Sequence, residues 1–165
     1  MKLSRNAYII IVIILNIAID QISKVMVRNS ISFREEVQLI GDGFILTNVE
    51  NTGAFLGMGS DLSPTLRIIL LLILPVIVLG LVTYYIFKEK QMDRWSSFAF
   101  ALIIGGGIAN VFDRFVYGSV TDFLHIDLGG LFKTGIFNMA DVSVSTGMIM
   151  LLVGSFINRK NKQIH

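Results

Sequence analysis

The sequence lacks the residues on which several common enzyme chemistries depend. It contains no cysteine, which excludes disulfides, thiolate metal sites and cysteine nucleophiles in any redox compartment. Only two histidines are present, His125 and His165, and they do not have the spacing of a metal-ligand motif. The HExxH motif, the phosphate-binding P-loop and a glycine-rich dinucleotide motif are also missing. The familiar metallopeptidase and nucleotide-binding patterns are therefore excluded.

Charge is scarce as well. Of the 165 residues only 16% are charged, whereas 53% are hydrophobic, and the mean hydropathy is +0.70. A water-soluble domain of this size could not bury so much apolar surface. The net charge of +2 gives no reason to expect a nucleic-acid partner. The composition therefore predicts an integral membrane protein whose partners include membrane lipids.

Four apolar runs are candidates for membrane spans. Three uncharged runs, 68–87, 95–112 and 142–158, approach or reach the roughly 20 helical residues that cross a hydrocarbon core. A fourth, 6–19, reaches that length only if Asp20, Gln21 and Lys24 lie at the far membrane edge. It follows two cations like a signal peptide, but no small-residue cleavage site comes after it, so we expect an uncleaved helix. The predicted spans are 7–27, 67–87, 95–113 and 138–158.

The charges beside these spans predict the orientation in the membrane. With both termini and the 88–94 loop on one side, that side carries eight cations against two acids. The other side carries six cations against ten acids. By the positive-inside rule we expect cytoplasmic termini, with segments 28–66 and 113–137 facing outward.

Two local patterns describe the rest of the chain. Hydrophobic and polar residues alternate on both sides of Gly41-Asp42-Gly43, which predicts a small extracytoplasmic β element beside the four helices. Gly105-Gly106-Gly107 interrupts the third span and predicts a close approach by a neighbouring helix. No repeats or flexible linkers are present, so we expect residues 1–165 to form one membrane-embedded domain.

Polar residues gather where the predicted spans meet the outer membrane edge. Ionisable groups at this depth are costly and by default indicate function. Residues three or four positions apart, such as Asn138 and Asp141, project from one helical face. Two helices could therefore present amides and acids to one crevice. The polar positions are Asp20, Asn110, Asp113, Arg114, Asp122, Asn138 and Asp141.

Two neighbouring carboxylates could share a proton and hydrolyse a peptide bond, one activating water while the other donates to the carbonyl. Asp141 begins a predicted helix, whose dipole favours a carboxylate, and either Asp122 or Asp113 could be its partner. Each residue also has an ordinary interpretation. Asp20 could end a helix at the interface, Asp122 could be a solvated loop acid, and Asn138 could be only an N-cap. A proton or cation pathway through a small transporter would use similar residues.

Five motifs occur in order along nearly the whole chain, and together they resemble the lipoprotein signal peptidase family, the type II aspartyl signal peptidases of family A8. They are DQISK at 20–24, ENTGAF at 50–55, GGGIANVFDR at 105–114, GSVTDF at 118–123 and FNMADVS at 137–143. The resemblance implies that Asp122 and Asp141 are the catalytic aspartates. It implies substrate-contacting roles for Asn51, Asn110, Arg114 and Asn138. Supporting roles fall to Asp20, Lys24, Gly53 and Asp113.

The resemblance also implies a reaction and its setting. The expected substrates are prolipoproteins, cleaved just before a diacylglyceryl-modified cysteine at the outer leaflet of a bacterial inner membrane. No metal or organic cofactor is implied, and globomycin-type cyclic peptides are the expected inhibitors. We expect a monomer. We also expect the β element and Phe55 to cover the crevice during the reaction.

Overall fold

Four long helices and a three-stranded sheet make up the computed structural model, which describes residues 3–54, 58–129 and 132–163. The helices are α1 (Arg5–Ser30), α2 (Pro64–Lys88), α3 (Arg94–Tyr117) and α4 (Met139–Gln163). All four are long and apolar enough to cross a membrane, α4 over Met139–Ile157. The expected architecture of four membrane-spanning helices is thus confirmed, and α1 and α3 each extend three or four residues beyond the predicted outer ends. Phe55, expected to cover the crevice, lies outside the described residues.

The sheet contains the predicted hairpin and one strand that was not predicted. β1 (Glu36–Ile40) pairs antiparallel with β2 (Phe44–Asn51), as expected. β3 (Val120–Ile126) then pairs antiparallel with β2. The interpretation of Asp122 as a loop residue is therefore wrong, because it lies within β3 opposite Val49. The sheet packs on the helix bundle through Val27, Ile31 and Phe123, and we call this end of the bundle the sheet end.

Helix α3 is the centre of the bundle, and its glycine triplet explains why. A Cβ at Gly105 would lie 2.9 Å from Asn16 of α1. One at Gly106 would lie 2.5 Å from the Ala140 carbonyl oxygen of α4, and one at Gly107 would lie 2.6 Å from Leu79 of α2. Each glycine therefore allows a different helix to pack closely against α3, whereas the sequence predicted one close neighbour.

Helix α2 is the most lipid-exposed of the four spans. It is the most apolar of the four, and its residues are exposed or half-buried except Ile86 near its end. A π-helical turn at Ile69–Ile73 precedes Pro75, which has no amide hydrogen to donate to the preceding turn. At the other end of the bundle, the Arg5 guanidinium donates to the Ile86 carbonyl (2.8 Å) and ties the start of α1 to the end of α2. The start of α1 and the α2–α3 connection therefore lie together, opposite the sheet end.

The glycine packing is testable with a matched pair of substitutions. Gly106→Ala should lower the free energy of unfolding by about 1–3 kcal/mol, because its methyl group would overlap a backbone carbonyl that cannot move freely. Gly80→Ala is the control, since no atom lies within 4 Å of its added Cβ. It should be neutral or stabilise by about 0.5–1 kcal/mol through helix propensity. Equal melting temperatures for the two variants in detergent would contradict the packing account.

Candidate active site

A buried ammonium group lies behind the candidate site. Lys24 Nζ is 2.7 Å from Asp20 Oδ2 and 2.8 Å from Asp113 Oδ2, and all three side chains are completely buried. The same ammonium donates to Asn110 Oδ1 at 2.9 Å. Because α1 continues ten residues past Asp20, the interpretation of Asp20 as the end of a helix at the interface is wrong. Asp20, Lys24 and Asp113 instead form an ion cluster between α1 and α3.

The ion cluster also reaches helix α4. Asp20 Oδ1 accepts a hydrogen bond from the Ala140 backbone amide at 2.8 Å. Gln21 donates to Asp113 Oδ1 at 2.9 Å, which gives that carboxylate a second partner. Asp113 therefore belongs to the ion cluster. Three helices are joined at one polar point.

Asp141 lies in the first turn of α4 and forms a reciprocal cap with Asn138. The Asn138 side-chain oxygen accepts from the Asp141 amide (2.9 Å), and Asp141 Oδ2 accepts from the Asn138 amide (3.2 Å). This is a capping box with an aspartate at its third position, so Asn138 is an N-cap as the sequence suggested. The other oxygen, Asp141 Oδ1, accepts from Asn110 Nδ2 at 3.0 Å. Capping and a neighbouring helix thus fix the Asp141 carboxylate.

Asp122 faces the same amides from the sheet. Its Oδ1 accepts from Asn138 Nδ2 (2.6 Å), and its Oδ2 accepts from Asn51 Nδ2 (2.8 Å). Burial raises the pKa of Asp122 to about 7, and the negative charge of Asp141 adds to that rise while the two amide donors oppose it. The Asp122 carboxyl group therefore exchanges its proton near neutral pH. A cavity lined by Val49, Thr52 and Ile136 opens beside it.

Three asparagine side-chain amides donate to the two aspartates, and each is oriented by a donor on its far side. Lys24 has only donors, so it fixes the oxygen of Asn110 toward itself and the NH2 group toward Asp141. The Asp141 amide orients Asn138 in the same way, so that its NH2 group faces Asp122. The Gly53 amide donates to Asn51 Oδ1 at 2.9 Å and directs the third NH2 group to Asp122. The carboxylates thus face a set of fixed donors.

Arg114 supports this arrangement from outside the carboxylate pair. Its Nη2 donates to the Gly53 carbonyl at 2.6 Å and holds the turn that follows β2. The structure therefore brings together five of the predicted site residues, namely Asp122, Asp141, Asn51, Asn110 and Asn138. Beside them lie Gly53 and Arg114, and behind them lie Lys24, Asp20 and Asp113. Within residues 3–54, 58–129 and 132–163, no group of three or more His, Asp or Glu side chains could hold a metal ion.

Two features near the site, a buried asparagine and a strand, were not predicted from the sequence. Asn16 is buried in the apolar part of α1, donates to the Leu102 carbonyl (2.9 Å) and accepts from Ser143 (2.8 Å). Its signal was present, because Asn16, Asp20 and Lys24 recur every four residues on one face of α1. The second feature is β3, whose Val-Thr-Asp-Phe-Leu-His-Ile sequence has the branched and aromatic residues typical of a strand.

Comparison with known proteins identifies relatives of this arrangement. A family model described as "Signal peptidase (SPase) II" matches residues 12–157. A lipoprotein signal peptidase of Pseudomonas syringae pv. tomato is 31% identical over 96% of this chain and 91% of its own. One from Borrelia duttonii is 34% identical over 93% of both chains. A solved structure titled as a bacterial membrane enzyme superimposes with a TM-score of 0.83 at 25% identity, covering 94% of this chain and 91% of that one.

The buried ion cluster can be tested by removing its cation. Lys24→Met should lower the free energy of unfolding by about 3–5 kcal/mol, because Asp20 and Asp113 would remain buried without a counter-charge. Lys133→Met is the matched control, since Lys133 is 63% exposed in its ion pair with Asp127 and should contribute less than about 1 kcal/mol. Thermal unfolding in detergent measures both variants. A Lys24→Met protein no less stable than Lys133→Met would contradict the cluster's structural role.

Proposed function

This chain belongs to the signal peptidase II family, and on that premise we propose that Asp122 and Asp141 are its catalytic pair. As a member of the family it is a multi-pass bacterial membrane protein and an aspartic-type peptidase that processes the signal peptides of prolipoproteins. The observation that supports the pair is the continuous hydrogen-bonded chain from Asp122 through Asn138 and Asn110 to Asp141. Asp113 is the weaker candidate, because Lys24 and Gln21 already engage its carboxylate.

In the proposed reaction Asp122 begins as the acid and Asp141 as the base. A pKa of about 7 keeps a proton on Asp122 near neutral pH, and Asp141 lies at a helix N-terminus, where a carboxylate is favoured. Asp141 removes a proton from a water molecule while the oxygen of that water bonds to the scissile carbonyl carbon. Asp122 gives its proton to the carbonyl oxygen. Asp122 then recovers that proton as the C–N bond breaks, while Asp141 protonates the leaving nitrogen. One water is consumed, and both aspartates regain their starting states.

The asparagines and Arg114 hold the substrate and the carboxylates in the proposed reaction. Asn51, Asn110 and Asn138 have their NH2 groups fixed toward the aspartates, so the pair does not reorganise as charge moves. Arg114 holds the turn at Gly53 through a hydrogen bond to the Gly53 carbonyl. An extended substrate could lie beside β2 at this turn. Asp20, Lys24 and Asp113 act as positioning residues through Asn110.

The catalytic pair is tested by substitutions that keep size and remove proton exchange. Asp122→Asn and Asp141→Asn should each reduce prolipoprotein cleavage by about 10²–10⁴-fold or more, with folding and membrane insertion retained. Asp42→Asn is the matched control, because Asp42 is an exposed acid in the hairpin of the same sheet. Near-normal cleavage by Asp122→Asn protein would remove Asp122 from the pair and return Asp113 to consideration.

We further propose that cleavage occurs just before a diacylglyceryl-modified cysteine and that membrane anchoring of this group sets the specificity. Each buried CH2 is worth about 0.8 kcal/mol, so two acyl chains would hold the cysteine at the depth of the aspartates. A precursor carrying the diacylglyceryl cysteine should be cleaved far faster in bilayers than the same peptide with an unmodified cysteine. Equal rates would leave the peptidase assignment intact and defeat this account of specificity.

The orientation is proposed from the charge distribution. The end of the bundle that bears Arg5, Lys88 and Arg94 is rich in cations, so we place it and both termini in the cytoplasm of the inner membrane. The sheet end and the aspartates then lie near the outer leaflet. Tags at either terminus or within 88–94 should resist external protease in intact cells, whereas a tag at Asp42 should be cut. Cleavage within 88–94 would overturn this orientation.

Two partner proposals follow from the site. Globomycin-type cyclic peptides would occupy the crevice beside Asp122 in place of substrate, so they should protect wild-type protein from thermal unfolding. All the proposed catalytic and binding residues come from one chain, so we propose that the monomer is active. Activity confined to fractions that light scattering identifies as dimers would contradict the proposal of an active monomer.

A further inference from the structure

Two arginines border one groove at the sheet end of the bundle. Arg67 lies in the first turn of α2 and Arg114 near the end of α3, and both line the groove. Arg67 Nη2 donates to the carbonyl oxygens of Ser60 and Leu62, each at 3.2 Å. Arg114 Nη2 donates to the Gly53 carbonyl at 2.6 Å. Both guanidinium groups are thus fixed in place by neutral oxygens.

Neither arginine forms an ion pair with a described residue, although Asp122, Asp141 and Asp113 are close enough to Arg114 to act on its charge. In the described part of the chain, no carboxylate lies within ion-pair distance of Arg67 or Arg114. The Nε atom of each is buried and makes no hydrogen bond to the described residues. A half-buried guanidinium with unused donors is costly and is well suited to an oxyanion, which it can bind through two parallel hydrogen bonds. The groove therefore has the electrostatic character of an anion site.

The remaining walls of the groove are mainly apolar, apart from Thr52 and Gly118 at its edge. Pro64, Ile68, Leu71 and Leu72 of α2 line it together with the two arginines. The three aliphatic residues follow Arg67 along a helix that crosses the membrane, so the groove changes from cationic to apolar as it descends from the sheet end. A free phosphate ion would not use these walls. The neutral diacylglyceryl group proposed for the substrate would not use the two positive charges.

We propose that this groove binds a membrane phospholipid, with its phosphodiester between Arg67 and Arg114 and one acyl chain along Ile68 and Leu72. The phosphodiester supplies anionic oxygens at the depth of the guanidinium groups, and the chain covers the apolar wall below them. The groove lies beside the carboxylate pair and shares Arg114 with it, whereas Arg67 belongs to the groove, and binding there needs no turnover.

The bound phospholipid would act on the proposed active site through a short series of contacts. Arg114 holds the Gly53 carbonyl, the Gly53 amide holds Asn51 Oδ1, and Asn51 donates to Asp122. A phosphodiester that immobilises Arg114 therefore also immobilises the turn that orients Asn51. This consequence rests on the proposed catalytic pair, whereas phospholipid binding itself does not.

The test measures binding directly. The full-length protein is placed in nanodiscs of a phosphate-free glycosyl-diacylglycerol lipid, phosphatidylglycerol is titrated in, and retained phospholipid is counted by native mass spectrometry after transfer to mild detergent. Wild-type protein should retain one phosphatidylglycerol. Arg67→Gln should weaken retention about tenfold or more, the expected effect of losing a charge-assisted hydrogen bond. Arg34→Gln is the matched control and should bind as wild type, because Arg34 is an exposed cation outside the groove.

Several results would overturn the proposal. One is equal retention of phosphatidylglycerol by wild-type and Arg67→Gln protein. Another is retention of diacylglycerol as strong as that of phosphatidylglycerol. The third is displacement of phosphatidylglycerol by inorganic phosphate at a similar concentration. If Arg67→Gln does not fold, Arg67→Lys keeps the charge but loses the planar fork, and it should still bind more weakly than wild type. Asp122→Asn protein should bind phosphatidylglycerol normally, so failure of the catalytic proposal would be distinguishable from failure of this one.

Discussion

The buried contact between Lys24 and its three partners is the interaction on which the rest of the structure depends. A single ammonium group compensates Asp20 and Asp113 and also orients Asn110. Through Asp20 the same cluster holds the Ala140 amide at the start of α4, next to Asp141. A buried charge left unpaired would cost several kcal/mol, so the loss of one member of the cluster destabilises the others. The helices cannot shift relative to one another without breaking it.

The consequence for chemistry is a pair of carboxylates whose surroundings are fixed before substrate arrives. Every amide that faces Asp122 or Asp141 has its oxygen engaged by a donor behind it, from Lys24, a helix N-terminus or the Gly53 amide. The glycine triplet of α3 makes this possible by letting three helix backbones approach closely. Packing in the membrane thus sets the geometry, and the hydrogen bonds set which atoms face the reacting bond.

Much of this could be predicted from the sequence, for identifiable reasons. The spans follow from uninterrupted apolar runs and the hairpin from its alternation and glycines, because both signals are local. Asp122 and Asp141 were selected by family resemblance, since spacing alone left Asp113 equally possible. The pairing of β3 with β2 was missed because it joins residues far apart in the sequence, such as Glu50 and Thr121, which are 71 positions apart. Lys24 and Asp20 were expected at the membrane edge, and although their spacing of four residues is a local signal, nothing local shows that Asp113 of another helix would complete a buried cluster.

The most direct test of the central claim, that Asp122 and Asp141 form one coupled pair, is the titration of Asp122 in the presence and absence of the Asp141 charge. Infrared difference spectra of protein labelled with 13C-aspartate, assigned with Asp122→Asn, would follow its carboxyl group. In wild type the pKa of Asp122 should be about 7, raised by burial and by Asp141. In Asp141→Asn protein it should fall, because repulsion between two anions is removed, but stay above 3.8 because burial remains. The same pKa in both proteins would contradict the account.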